Sequence, residues 1–421
     1  MNAVAIGRRT FASLAIPNYR RYVAGQGISL VGTWMQTIAQ GWLVYSLTGS
    51  GTAIGLLVAL QMLPVLVLAP YGGLVADRVD KRRLMVAVQG AMAVLALALG
   101  ILTASGTVRL WHVFVLAGCL GIATAFDNPT RQAFVTELVG PDDLRNAVSL
   151  NSVLVNAARA IGPAIAGVLI ATVGVSACFL INASSYLAVI ASLLMLDRAA
   201  LRPSTPAPRE RGQVRAGIAY ASRTPELAVP LAMMALIGSL AYEFQVVLPV
   251  VARETFGGGP EVYGVMTGAM GVGAVIGGLV AATKGRVGTR AVIGAGFALG
   301  VAILLAALAP TLPAELGALV IVGAASVTFL ASGNSTLQLA SLPEMRGRVM
   351  SLWAVAFLGS TPIGGPIAGF VSEHAGGRAG LLLGSVACFA AAALGALMLS
   401  RGGPSSTRQT TRLGRILRSS C

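Results

Sequence analysis

The chain has 421 residues, of which 56% are hydrophobic and only 11% charged. So little charge cannot cover the surface of a globule that size, which excludes a water-soluble protein and leaves lipid as the main solvent. A net charge of +15 would suggest nucleic acid in a soluble chain, but here the basic residues fall between apolar runs and at the two ends, with no aromatic-basic patch, so no nucleic-acid partner is expected.

A helix needs about 20 apolar residues to cross a hydrocarbon core of roughly 30 Å. Such runs predict twelve spans, at about 22–46, 53–75, 84–105, 111–128, 146–171, 175–196, 227–252, 262–283, 290–309, 313–335, 347–371 and 378–400. The stretch ending in Asn18-Tyr19-Arg20-Arg21 has no short apolar core with a cleavage site, so it does not read as a signal peptide. Span 1 carries Gln26, Ser29, Thr33, Gln36 and Gln40 on one helical face. A stripe of this kind can line a hydrated path or bond helix to helix. Gln26, Thr33, Gln36 and Gln40 are therefore candidate cavity residues. Trp34 and Trp42 of the same span can stack on an aromatic substrate, and Trp42 also suits interfacial anchoring.

Span 2 ends in Gly72-Gly73-Leu74-Val75-Ala76, and the loop beyond reads Asp77-Arg78-Val79-Asp80-Lys81-Arg82-Arg83. Glycine lets two helices approach closely. Asp77 can bond the N-terminus of a neighbouring helix, where the macrodipole favours an anion. Arg78, Lys81 and Arg82 can pair with carboxylates. Asp127 is placed at the inner end of span 4. Span 5 carries Ser149, Ser152, Asn156 and Arg159 at spacings of 3, 4 and 3, which puts all four on one face. Ser152 and Asn156 join the candidate cavity residues. Gly162, Pro163 and Gly167 follow: the proline removes a backbone donor and kinks the helix, and the small residues permit close packing.

A polar link, 197–226, contains Pro203, Pro206 and Pro208, and from Gln213 to Arg223 it can form a short helix on the membrane surface. Span 7 holds Glu243. Arg159 and Glu243 are the two charges read as lying deep within spans. At mid-bilayer a charge costs at least ~2.5–3.5 kcal/mol, so each needs a partner, a water-filled cavity or, for Glu243, a proton. Glu243 is expected to be the proton-coupling carboxylate or a cation-binding group. Arg159 is expected to hold an anionic substrate, or to pair with Glu243 as a gate in the same coupling.

The second half echoes the first. Gly277-Gly278-Leu279-Val280-Ala281 ends span 8, repeating the end of span 2 at an offset of 205. Span 11 repeats span 5 at an offset of 202: Ser149-Leu150 pairs with Ser351-Leu352, Ile161-Gly162 with Ile363-Gly364, and Ile165-Ala166-Gly167 with Ile367-Ala368-Gly369. Two six-helix repeats of the same orientation are predicted, with Gly364 and Gly369 matching the packing glycines of span 5. If both termini lie on one side, the tails and even-numbered loops hold 26 of the 30 Lys+Arg, while the opposite loops hold Arg109, Arg253 and Arg378. That asymmetry predicts cytoplasmic termini. The tail carries Arg408, Arg412, Arg415 and Arg418, which can rest against anionic lipid or lie free in solvent.

In its loop, Gly73 with Asp77-Arg78 and the basic cluster, the chain resembles the major facilitator superfamily. Asp80 departs from that signature, where glycine is usual, and the second-half copy has Ala282 and Thr283 in place of the acid-Arg pair. The resemblance implies that Gly73, Asp77, Arg78, Lys81 and Arg82 form a latch for the outward-facing state. It also implies that Asp127 joins this latch near Arg78 or Arg82. Asp127-Asn128-Pro129-Thr130-Arg131, Ser149-Leu150-Asn151, Arg159-Ala160-Ile161-Gly162-Pro163, Gln245-Val246-Val247-Leu248-Pro249 and Gly359-Ser360-Thr361-Pro362 look like the branch of enterobactin exporters and macrolide efflux permeases. That branch implies export of amphipathic small molecules by proton exchange. Gly162-Pro163-Ala164-Ile165-Ala166-Gly167 is similar to the end of an antiporter signature, although Ala158 and Ser149 stand where the signature wants glycine.

No Gly-x4-Gly-Lys-Ser/Thr loop is present, so ATP is not the driver within this chain. The two histidines, His112 and His374, are far apart, and no metal or catalytic constellation appears, so neither an enzyme nor a cofactor is expected. Cys119, Cys178, Cys388 and Cys421 show no metal spacing and no disulfide framework. The expected organisation is a six-helix half over 1–196, a cytoplasmic linker over 197–226, a second half over 227–400 and a basic tail over 401–421. The expected protein is an all-α transporter of the cytoplasmic membrane, monomeric, with a small-molecule substrate, protons and membrane lipids as partners. Export of drug- or siderophore-like molecules by proton antiport is the leading reading; a lysophospholipid flippase or an importer is the rival.

Overall fold

The computed structural model describes residues 12–202, 213–284 and 287–401. The basic tail, with Arg408, Arg412, Arg415 and Arg418, lies outside them, as do residues 203–212 of the polar link. The described helices are α1 (Pro17–Thr48), α2 (Gly51–Arg78), α3 (Lys81–Ala104), α4 (Leu110–Thr172), α5 (Val175–Leu194), α6 (Gln213–Ser222), α7 (Pro225–Leu240), α8 (Phe244–Val250), α9 (Pro260–Lys284), α10 (Thr289–Ala307), α11 (Leu312–Ala340), α12 (Pro343–Leu358), α13 (Thr361–Ala375) and α14 (Gly377–Arg401).

Ten helices, with α7–α8 and α12–α13 taken as single units, are long and apolar enough to cross a membrane. Two more spans follow from sequence detail. The 63-residue α4 folds back on itself at Gly140, whose φ of 74° and ψ of 179° belong to a region open essentially to glycine alone. Pro141 then starts the second arm, where its missing N–H costs nothing. The other span is α1, which is 32 residues long but diluted by its glutamines and hydroxyls. Ten plus these two gives twelve spans in two six-helix halves.

The first arm of α4 corrects one boundary. Span 4 does not stop near residue 128: the helix continues to Val139, carrying Asp127 about three turns in from its end. Pro129 removes one backbone bond without ending the helix, as bundles in lipid tolerate. Two spans of the second half are interrupted. Span 7 breaks between α7 and α8, with Glu243 at φ −84° and ψ 34°, and its outer end is a π turn, Val251–Thr255. Span 11 breaks at Gly359 and Ser360, ahead of Pro362.

Apolar surface gives no driving force between helices in lipid, so close backbone approach does the packing. The repeated glycines sit at equivalent crossings. Gly72 meets Ala125 of α4, and Gly277 meets Ala324 of α11. Gly162 lies against Val31 and Trp34 of α1, and Gly364 lies against Ser239 of α7. The last pair joins the halves: Gly369 meets Gly51 of α2, and Gly167 meets Gly264 of α9. Gly55 and Gly365 cross one turn further in.

These inter-half crossings lie at the outer end of the bundle, opposite the end that holds Pro17 and Arg401. Gly167, Pro163, Ala160, Asn156 and Ser152 form one line along α4. Its outer members touch Gly264 and Gly271 of α9, while Ser152 is exposed. The matching line on α13 and α12 runs from Gly369 and Gly365 to Val355 and Ser351, both exposed. The halves therefore meet at the outer end and part towards the inner end.

The inner end of the first half is fastened to itself. Ser13 donates through N and Oγ to Asn146 Oδ1 at 3.0 and 2.6 Å, and the Tyr19 hydroxyl donates to the Ala147 carbonyl at 2.9 Å. Asn18 and Asp197 exchange two bonds of 2.8 and 3.0 Å, and Arg21 donates to the Met195 carbonyl at 3.2 Å.

Candidate functional site

The packing of Gly162 on α1 brings the preceding turn of α4 beside Trp34. The Arg159 guanidinium carbon lies 4.8 Å from the centre of that indole, a cation–π arrangement. Its Nε is buried and has no hydrogen-bond partner. The ion pairs among the described residues are Lys81–Glu137, Arg83–Asp80 and Arg131–Asp127, so the expected Arg159–Glu243 pair is not formed. Towards the inner end, Asn156 donates to the Ser152 carbonyl at 2.8 Å, and Ser152 and Ser149 bond back to Val148 and Arg145. Ser149 and Ser152 are exposed there, and Asn156 is half-buried.

Glu243 sits where span 7 breaks. Its carbonyl accepts from Val246 and Val247 and so starts α8. Its carboxyl is 4% exposed, Oε1 has no hydrogen-bond partner, and Thr361 of α13 is its polar neighbour. A small space of about 10 Å³ adjoins it, lined by Phe244, Val247, Ile303 and Leu381, room for about one water. A Cβ at Gly365 would stand 3.5 Å from Oε2 of Glu243. The carboxyl thus lies directly behind the crossing of α2 and α13.

The α1 stripe divides. Gln26, Gln36 and Gln40 are buried at 3%, 4% and 2%, and Gln36 Oε1 accepts from Asn182 Nδ2 of α5 at 2.7 Å. Ser185 donates to Asn182 Oδ1 at 2.8 Å. These glutamines do not line an open face here; Gln36 belongs to a polar seam between α1 and α5, because Gly32 lets α5 come close. Thr33 is exposed, and its hydroxyl donates to the Ser29 carbonyl at 2.9 Å. Asn182, Ser185 and Ser192 stand 3 and 7 residues apart, a helical spacing that could have marked the α5 face turned to Gly25 and Gly32 of α1.

The loop after α2 is tied into its own half. Lys81 Nζ pairs with Glu137 Oε1 at 2.7 Å, both side chains largely buried. Arg82 donates to the Leu193 and Leu194 carbonyls at 2.5 and 2.9 Å, capping the end of α5. A recess of about 330 Å³ opens beside Lys81, Arg82, Glu137 and Arg198. Gly73 is half-buried, while Asp77 and Arg78 are exposed, and no hydrogen bond to Asp77 occurs among the described residues. Asp127 does not pair with Arg78 or Arg82. It is 5% exposed, accepts from Gln89 Nε2 at 2.8 Å and lies 3.8 Å from Arg131 Nε. The reason is its depth in the helix, three turns from the loop.

Two carboxylates that were not singled out bridge the halves at the outer end. Glu373 Oε2 accepts from Ser50 Oγ at 2.6 Å and from Thr52 N at 3.0 Å, capping the start of α2. The Tyr45 hydroxyl donates to Glu254 Oε1 at 3.2 Å. Glu373→Ala is expected to part the outer ends in a larger share of molecules, because it removes two bonds between the halves, each worth roughly 0.5–1 kcal/mol at this exposed, solvent-screened site. Spin labels at Ser105 and Leu308, one in each half, should report a longer and broader separation; an unchanged distribution means that Glu373 does not hold the outer end shut.

The family model described as transmembrane secretion effector matches residues 8–409. The chain is 28% identical over 252 residues to the staphyloferrin A transporter of Staphylococcus aureus, covering 59% of this chain and 63% of that protein, less than two thirds of its length. It is 25% identical over 366 residues to the enterobactin exporter EntS of Shigella boydii, covering 84% and 85% of the two chains. The crystal structure of a bacterial homolog to the human lysosomal transporter Spinster, in an inward-facing and unoccupied conformation, superposes with a TM-score of 0.73 at 12% identity, covering 90% of this chain and 96% of that one. At that identity the likeness is one of fold.

Proposed function

The chain belongs to the transmembrane secretion effector family of the major facilitator superfamily, and from that premise we propose that it exports amphipathic small molecules, drug- or siderophore-like, by proton antiport. It is a multi-pass membrane transporter, and neither its family nor its fold is that of an enzyme.

The observation that carries the proposal is Glu243. A buried carboxyl with an unpartnered oxygen stands behind the crossing that closes the outer end, so a proton gained or lost there acts on the same contact that must open. The expected cycle is alternating access, in which the halves rock about a midplane site. The open end would face the cytoplasm, with both termini, in the cytoplasmic membrane, as the Lys and Arg distribution favours. Thr33, Ser152 and Asn156 would line the path, with Arg159 at its depth. The loop of Gly73, Asp77 and Arg78 would engage only when this end closes, which suits its unbonded Asp77. The name of one relative, the enterobactin exporter EntS, favours the outward direction.

The test is solute-triggered proton movement in proteoliposomes, with a panel of amphipathic drugs and siderophores at an imposed pH gradient. Proton flux that starts on adding one of these solutes supports antiport. If none moves protons while a fluorescent lysolipid crosses the bilayer, the flippase reading replaces it.

A further inference from the structure

We infer that Arg159 and Trp34 form an anion-receiving subsite, and that the transported molecule carries a carboxylate that pairs with Arg159. The inference deepens the carrier reading by naming the chemistry of its substrate, and it rests on that reading.

A guanidinium inside a membrane protein needs an anion, a carbonyl or water. Arg159 has no hydrogen bond and no ion pair among the described residues, and its Nε is buried without a partner. Several acceptors on neighbouring elements are bonded elsewhere. Asp127 accepts from Gln89 and faces Arg131. Gln36 Oε1 accepts from Asn182. Tyr242, which lies within electrostatic reach of Arg159, donates its hydroxyl to the Ser326 carbonyl at 2.9 Å. Glu243 forms no ion pair with Arg159 and borders a separate small space lined by Phe244, Ile303 and Leu381.

What remains beside Arg159 is the Trp34 indole, and no counter-ion. Arg159 continues the spacing of Ser152 and Asn156 along α4, the face on which the halves part. The cation–π contact with Trp34 restrains the guanidinium at 4.8 Å from the indole centre, and its planar N–H fork matches the two oxygens of a carboxylate. The indole also offers a surface to the apolar body of an amphipathic anion. A cationic drug would meet like charge at the deepest point of the path. The subsite therefore selects against cations as well as for anions.

The test is equilibrium binding to the full-length protein in phosphatidylcholine nanodiscs, read by dansyl fluorescence, with three probes that share one ring system. Dansylglycine carries a carboxylate, its amide is neutral, and dansylcadaverine is a cation. Dansylglycine should bind at least about tenfold more tightly than the amide, the scale of a charge-assisted bond, and dansylcadaverine most weakly. Arg159→Gln should erase the preference while leaving the amide unchanged. Arg159→Lys, which keeps the charge and loses the fork, should keep part of it. Should Arg159→Gln fail to fold, the lysine variant and the wild-type ranking decide. Equal binding of dansylglycine and its amide to the wild type, no binding of dansylglycine, or a full preference surviving in Arg159→Gln or Arg159→Lys overturns the inference. No gradient enters this measurement, so anion binding without proton flux removes the antiport reading alone, and proton flux without anion preference removes the subsite alone.

Discussion

Gly55→Leu is expected to stop transport while leaving a folded, membrane-embedded protein. A side chain at Gly55 would enter the Gly365 backbone, and main chain cannot swing aside as a flexible side chain can. The crossing of α2 and α13 could not close, so the conformation with a sealed outer end would be lost. Overpacking of this kind costs about 1–3 kcal/mol in a forgiving core, and more where backbone meets backbone. A shift of that size changes the ratio of two conformers by roughly tenfold to a hundredfold. The spin-label pair at Ser105 and Leu308 should move to the longer distance, and flux should fall by about two orders of magnitude. Gly90→Leu is the control, because a Cβ at Gly90 meets nothing within 4 Å. Wild-type flux in Gly55→Leu would show that the outer crossing need not close during transport.

Glu243→Gln should abolish the pH-driven component of transport. Glutamine keeps the length and polarity of the side chain but cannot exchange a proton, so packing around the one-water space survives and coupling does not. Accumulation against a gradient should fall to background if each cycle needs that proton. Downhill exchange of a loaded solute should persist, since the line of Ser152 and Asn156 is untouched. Efflux with an unchanged pH profile would remove Glu243 from the coupling step.

Much of the architecture was legible because lipid imposes two strong regularities on sequence. One is the length of apolar runs. The other is glycine wherever backbones touch, and the matched pairs Gly72/Gly277, Gly162/Gly364 and Gly167/Gly369 occupy equivalent crossings. Hydropathy misled at Asp127, because it ends a span at the first cluster of charge, whereas the helix runs on to Val139 with Asp127 and Glu137 buried inside the bundle. Periodicity placed Gln26, Gln36 and Gln40 on one face of α1 but could not say which neighbour that face meets, and Gln36 meets Asn182 of α5. The bridges from Glu373 and Glu254 were invisible for a related reason. Each joins residues more than two hundred positions apart, as Tyr45 and Glu254 are, and a single carboxylate at a helix end carries no trace of its distant partner.

The two halves share a repeat yet differ in stiffness. Span 1 is the unbroken α1, while its counterpart is cut between α7 and α8. Span 5 is the unbroken second arm of α4, while its counterpart is cut between α12 and α13. The first half is also fastened at its inner end, from Ser13 to Asn146, Tyr19 to Ala147 and Asn18 to Asp197, with Arg82 clasping the end of α5. A body tied in this way turns as a lever. Bending is left to the joints of the second half, at Glu243 and at Gly359–Ser360, where each interrupted helix has fewer backbone bonds to break. One joint contains the buried carboxyl and the other begins the helix that crosses α2. The molecule thus sets a stiff arm against a jointed one, and the acid sits in the joint.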